Sequence, residues 1–184
     1  MESFFKEAIG SLKTSGTVKP SSKYLIRNCL KGIDYSRAET IIEFGTGNGC
    51  FTREIAKNMR PNTSLYSFEV NQKFHAYSSR EFQTQKNVQI LNRSALDFDK
   101  VLREDSVSQV DYIISSLPLT LFKKSDTQTI LSKVSTYLKK EGCFVQYQYS
   151  LSNYLQLRRA FDAIHIGVTI RNFPPAVIYT CSPK

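Results

Sequence analysis

The chain has 184 residues, 41% apolar and 22% charged, and Lys plus Arg exceed Asp plus Glu by 25 to 16, a formal charge of +9. That size and composition predict one domain with its own core and exclude a disordered or repeat-built chain. A basic surface favours nucleic acid, an anionic membrane or an acidic partner, without choosing among them.

At the start, Phe4, Phe5, Ala8, Ile9 and Leu12 fall on one arc about 140° wide when wound as a helix, with Glu2, Lys6, Glu7 and Lys13 outside it. This predicts a short amphipathic helix with two readings: docked on its own domain, or lying on a membrane surface. A second helix follows Pro20, capped by Ser21 or Ser22, with Leu25, Ile26, Cys29 and Leu30 inward, and ends at Gly32. Strands are then predicted at 40–44, 64–69, 88–91, 110–115 and 143–149. Helices are predicted at 50–59, 72–82, 127–138 and 151–161, with the "KKEG" stretch as a turn before strand five. Two last runs, 164–170 and 176–181, flank "RNFPP" and read as an antiparallel pair. Alternating strands and helices predict a parallel α/β sheet with helices on both faces, and ligands of such sheets bind at the carboxyl ends of the strands.

Cys29, Cys50, Cys143 and Cys181 form no CxxC pair and have no His at metal-ligand spacing, so a zinc site or disulfide framework is not expected, and reduced thiols in the cytoplasm are. No run approaches roughly 18 apolar residues, so no membrane span is expected, and the first residues do not read as a secretory signal.

The stretch "IIEFGTGNGCF" places Gly45, Gly47 and Gly49 in a strand-to-helix turn, two residues after Glu43. Glycine lets a backbone approach a ligand closely. Glu69 ends the next strand, 20 residues after Gly49, where nucleotide-binding sheets hold ribose hydroxyls. A nucleoside is expected across this turn. The P-loop pattern is absent, and Cys50 stands at the third glycine of the dinucleotide fingerprint.

The residues "EFGTGNG" with Glu69 resemble motifs of the class I S-adenosylmethionine-dependent methyltransferases, a Rossmann-like family with seven strands, the last pair antiparallel. The resemblance implies S-adenosylmethionine as cofactor. It implies Gly45 and Gly47 against the methionine part, Glu69 on the ribose, and Val70 and Asn71 beside the adenine. Ser94 stands where the family often has an acidic residue. Glu43, Gly49, Ala95 and Ser115 complete the expected cofactor shell.

After strand four the sequence reads "SSLPL". Adenine-N6 methyltransferases, including the ribosomal RNA dimethylases, carry Asn-x-Pro-Tyr there. Ser116 and Leu119 replace the amino-group ligand and the base clamp, and base stacking on an aromatic is worth roughly 1–3 kcal/mol. The residues "FF", "SGTVKPSS", "EFGTGNGCFTREI", "SSLPL", "FVQYQYS" and "RNFPPAVIYT" are similar, in order, to the bacterial phospholipid N-methyltransferases. Those enzymes methylate phosphatidylethanolamine toward phosphatidylcholine. The resemblance implies a peripheral enzyme on the cytoplasmic face of an anionic membrane, with residues 1–32 as a docking extension and 38–184 as the catalytic core.

Residues 1–31 carry six Lys or Arg against two Glu, and basic residues near an anionic leaflet contribute about 1 kcal/mol each. Tyr147 and Tyr149 share one face of strand five, where they are candidates to orient the amine or accept its proton; their rings favour a methylated, cationic nitrogen. Ser116 joins them as a catalytic candidate. Arg171 is the candidate for the lipid phosphate, since a guanidinium matches phosphate oxygens. Two other readings stand beside this one: an RNA adenine-N6 methyltransferase, favoured by the charge, and a membrane-associated protein that binds the cofactor without catalysis.

Overall fold

A computed structural model describes residues 21–184. The amphipathic segment at 4–12 lies outside the described residues. Helix α1 (Lys23–Leu30) is capped by Ser22, whose hydroxyl accepts from the Leu25 amide. There follow β1 (Thr40–Phe44), α2 (Cys50–Asn58), β2 (Ser64–Phe68), α3 (Gln72–Phe82), β3 (Val88–Leu91), α4 (Phe98–Glu104), β4 (Val110–Ser115), α5 (Lys124–Tyr137), β5 (Leu138–Gln148), α6 (Tyr154–Ala160), β6 (Ala163–Thr169) and β7 (Ala176–Ser182).

The seven strands form one sheet in the order β3-β2-β1-β4-β5-β7-β6. β1 to β5 are parallel; β7 runs antiparallel to both β5 and β6. This is the Rossmann-like sheet with a reversed last pair that the sequence predicts.

Successive strand residues point to opposite faces, and here both faces are covered. Ile41, Leu65, Ile114 and Val145 pack with α1 and α2 on one side. Ile42, Tyr66, Ile113 and Phe144 pack with α4, α5 and α6 on the other. Central strands of such a sheet read as near-continuous apolar runs, here interrupted by Glu43 in β1 and Asp111 in β4, which is why 40–44 and 110–115 were legible. No described helix is long and apolar enough to cross a membrane.

One expectation is corrected and one helix is added. The "KKEG" stretch is not a turn but part of β5, where the pairing with β4 shifts register between Val110 and Tyr112. A Cβ at Gly142 would stand 2.5 Å from the Asp111 carbonyl oxygen, so this glycine serves a bulge pressed on the neighbouring strand. Helix α4 was not predicted. It is tied down by Asp99, which pairs with Lys133 of α5 at 2.7 Å and with Arg103 at 2.9 Å.

Candidate active site

β1, β2 and β4 end at the same edge of the sheet, and a cavity of about 570 Å³ opens there, a size usual for small-ligand sites. The turn after β1 forms its floor. The Gly45 and Thr46 amides donate to the Phe68 carbonyl at 2.9 and 3.2 Å. Gly45 has φ +89, and a Cβ there would stand 2.4 Å from Ser116 Oγ. Gly47 has φ +54, and a Cβ there would meet no atom within 4 Å. No packed neighbour therefore demands a glycine at 47; the left-handed backbone and the open space of the cavity do.

Glu69 is buried in the cavity wall. Its Oε2 accepts from the Gly47 amide and its Oε1 from the Asn71 amide, both at 2.8 Å. Carboxylate oxygens accept more than one hydrogen bond each, so a carboxylate held in this way is fixed in place for hydroxyl donors.

Glu43 lies beneath the turn and does not line the cavity. Its Oε2 accepts from Thr52 Oγ1 at 2.6 Å and from Ser67 Oγ at 2.7 Å, and Ser67 in turn meets Thr46 Oγ1 at 2.6 Å. Burial pushes its carboxyl from 4.5 up to about 7, against the pull of the two hydroxyl donors. Between these values the folded chain keeps a proton that the unfolded chain has lost. The stability contribution is therefore full below about 4.5 and lost as pH rises through about 7. Glu43→Gln is expected to flatten that slope, gaining on the order of 3 kcal/mol on wild type between pH 4.5 and 8; urea melts at the two pH values measure it.

Of the other expected cofactor residues, Val70 and Ala95 line the cavity. Asn71 turns its side chain to cap α3, accepting from the Lys73 and Phe74 amides. Ser94 caps a short 3-10 turn by accepting from the Leu96 amide at 3.2 Å, while its neighbours Arg93 and Ala95 face the cavity. Ser115 is fully buried and accepts from the Leu117 amide. Gly49, at φ +76, caps α2 against Phe82 and lies behind the wall.

Among the catalytic candidates, Ser116, Tyr147 and Tyr149 meet at the cavity. Ser116 Oγ donates toward the Phe44 and Gly45 carbonyls at 3.1 and 3.0 Å. Tyr147 stacks on Phe51 with ring centres 5.5 Å apart, and its hydroxyl meets Ser21 Oγ at 3.1 Å. Burial pushes its phenol well above the ordinary value, so Tyr147 holds its proton and does not act as a base near neutrality. Tyr149 stands edge-on to it at 6.3 Å and is exposed. Arg171 is outside the cavity wall, its guanidinium 5.0 Å from the ring centre of Tyr24. Thr46 and Asn48, inside the glycine turn, also line the cavity, as do Phe74, Arg93 and Leu121, which no motif singled out.

These residues fit S-adenosylmethionine: an open cradle at Gly47, a fixed buried carboxylate at Glu69, and mostly apolar walls. Bound there, the cofactor supplies an electrophilic methyl group on a sulfonium. Glu69 and the backbone of 45–47 would hold it, and Ser116, Tyr147 and Tyr149 would face the methyl acceptor.

Comparison with known proteins agrees. Residues 41–142 match the family described as "Methyltransferase domain". The chain is similar to the ornithine lipid N-methyltransferase of Singulisphaera acidiphila, 29% identical over 181 residues, covering 97% of this chain and 91% of that one. It is also similar to ribosomal RNA small subunit methyltransferase A of Caldanaerobacter subterraneus, 26% identical over 98 residues, covering 52% of this chain and 35% of that one. Among solved structures, the precorrin-6y C5,15-methyltransferase of Geobacter metallireducens superposes with a TM-score of 0.70 at 15% identity, covering 91% and 92% of the two chains. The N-methyltransferase NodS of Bradyrhizobium japonicum does so with 0.67 at 12% identity, covering 86% and 94%. The matched family, the sheet order and the cradle at its carboxyl edge lead to one conclusion: the chain belongs to the methyltransferase-domain family, as a class I S-adenosylmethionine-dependent enzyme.

Proposed function

We propose that the chain methylates the amine of a lipid headgroup at the cytoplasmic face of a membrane, with phosphatidylethanolamine and its methylated intermediates as substrates. The observation that carries this reading is the fate of the two positions that handle a base in adenine-N6 enzymes. Leu119 is 2% exposed and packed in the core, and the Ser116 hydroxyl is directed at two backbone carbonyls. Leu119 therefore offers no aromatic face for a base, and Ser116 offers a single hydroxyl where the adenine-N6 enzymes have a side-chain amide. The acceptor end of the cavity is instead made by Leu117, Pro118 and Leu121 with Tyr147 and Tyr149, a surface suited to an aliphatic amine. The full-length similarity to a lipid N-methyltransferase supports the same reading, whereas the similarity to the RNA enzyme stops at about half the chain.

In this scheme the amine gives its proton to water before transfer, because only its lone pair attacks the methyl carbon. The Ser116 hydroxyl donates a hydrogen bond to a backbone carbonyl, so in the first two transfers its oxygen accepts from the remaining amine N–H and aims the lone pair. Holding the nucleophile in line supplies much of the rate. The ring face of Tyr149 favours the nitrogen as it becomes cationic. Tyr149→Leu is expected to lower kcat/KM about tenfold while cofactor affinity is unchanged; initial rates beside a binding titration check this.

The deciding experiment is methyl transfer from labelled S-adenosylmethionine in parallel onto vesicles containing phosphatidylethanolamine, onto ornithine-lipid vesicles and onto unmodified ribosomal RNA. Label in phosphatidylethanolamine supports the proposal. Label in ornithine lipid alone keeps the lipid amine and changes the headgroup. Label in RNA overturns the reading, and cofactor binding with no acceptor labelled favours a protein without catalysis.

A further inference from the structure

Among the described residues ten large apolar side chains are exposed, and all but Tyr77 fall in four stretches around one end and one edge of the sheet. The pairing register explains why they gather. Gln148 of β5, Val177 of β7 and Val168 of β6 stand abreast, so Val168 lies two strand spacings, about 10 Å, from the cavity wall at Gln148. Val168, Ile170 and Phe173 are 64%, 80% and 84% exposed. Leu151 follows Tyr149 out of β5, and Leu121 and Tyr149 belong both to this surface and to the cavity. The apolar surface is thus continuous with the acceptor mouth. Contiguous exposed apolar surface marks an interaction site.

The charge around it is predominantly positive, with Asp126 in the first turn of α5 and Asp162 at the far end of β6 as the adjoining acids. Stretches 117–125, 145–161 and 163–184 contain no Asp or Glu, and carry Lys123, Lys124 and Arg171 beside the rim. The Arg171 guanidinium lies over the Tyr24 ring, next to Lys23. Apolar side chains in the middle with cations at the margin match an anionic bilayer, whose acyl region takes the first and whose headgroups take the second.

We propose that this rim, formed by the end of β6, the loop to β7, the residues after β5 and Leu121, is a membrane-docking face that seats the cavity mouth on an anionic lipid surface. The inference rests on the lipid-amine reading for its meaning, and places docking on the catalytic core itself as well as on any contribution from residues 1–20.

The test uses the full chain and vesicles of phosphatidylglycerol with phosphatidylcholine, against phosphatidylcholine alone. Wild type is expected to partition onto the anionic vesicles and to be released by salt. The pair Ile170→Glu and Phe173→Glu is expected to lower that partition at least about tenfold. Cofactor affinity, thermal midpoint and turnover of a dispersed short-chain amine lipid should be unchanged. If the Glu pair lowers the thermal midpoint, Ile170→Ser with Phe173→Ser is read by the same criterion. Undiminished partition of the folded variant overturns the docking face, and so does a wild-type dimer that the substitutions dissociate, since a second copy then covers the rim. Vesicle binding by wild type without methylation of any amine lipid leaves the docking face standing and removes the lipid-amine reading; methylation of dispersed lipid with no loss of partition in the variant does the reverse.

Discussion

Glu69→Ala is expected to weaken S-adenosylmethionine binding about a hundredfold, the largest effect of any single substitution at the site. The carboxylate is the charged acceptor in the cavity wall and also the clasp of the glycine turn, taking the Gly47 and Asn71 amides at 2.8 Å each. Alanine removes the acceptor for the ribose hydroxyls, which then stay unsatisfied in the complex at a cost of about 1–3 kcal/mol per group, and it releases the clasp that holds the turn in its binding shape. A net loss of about 3 kcal/mol corresponds to the hundredfold change. Glu69→Gln keeps the shape and one acceptor oxygen, so an intermediate loss of about tenfold is expected. Calorimetric titration separates the three proteins, and unchanged affinity in the Ala variant removes Glu69 from the site.

Gly45→Ala is expected to destabilise the fold by about 3 kcal/mol, through two causes that can be separated. One is backbone strain: φ is +89, where a side chain costs about 1–3 kcal/mol. The other is a clash of the new Cβ with Ser116 Oγ, 2.4 Å away, which would drive Ser116 off the Phe44 and Gly45 carbonyls. In a Ser116→Ala background the nearest atom becomes the Cβ of residue 116, at 3.7 Å, and only the strain remains. The double-mutant cycle is therefore expected to show a coupling of about 1 kcal/mol or more, measured by urea denaturation. Additive losses would mean that the turns after β1 and β4 do not bear on each other.

Much of this was legible in the sequence because the signals are local. The apolar runs of β1 and β4, the glycine turn and the acid ending β2 each report on neighbours a few residues apart. What was not legible depends on which way a side chain turns. Ser94 and Arg93 are adjacent, yet a 3-10 cap claims Ser94 and leaves Arg93 to the cavity. Asn71 was placed beside the adenine, but its side chain is held by the first amides of α3. Phe74 and Leu121 reach the cavity from elements whose tilt no periodicity encodes. Arg171 was matched to a phosphate by its chemistry; its position over Tyr24 is set by the packing of α1 beside the β6–β7 loop, where the Ser22 amide donates to Asn172 Oδ1. Helix α4 escaped notice because Asp99, Lys100, Arg103 and Glu104 make its short span read as polar, although Phe98, Val101 and Leu102 anchor it in the core.

The two-sided burial of β1 and β4 bears on how the protein breathes. These strands lie at the centre of the sheet with packed helices above and below, so their amides belong to the unit whose exchange with deuterium requires opening of the whole fold. The cradle at 45–47 and the turn at 116–121 hang directly from their ends. Slow exchange should therefore extend up to the cavity, while the β6 edge exchanges early. On heating, the ability to hold the cofactor and the native fold are expected to vanish in one transition.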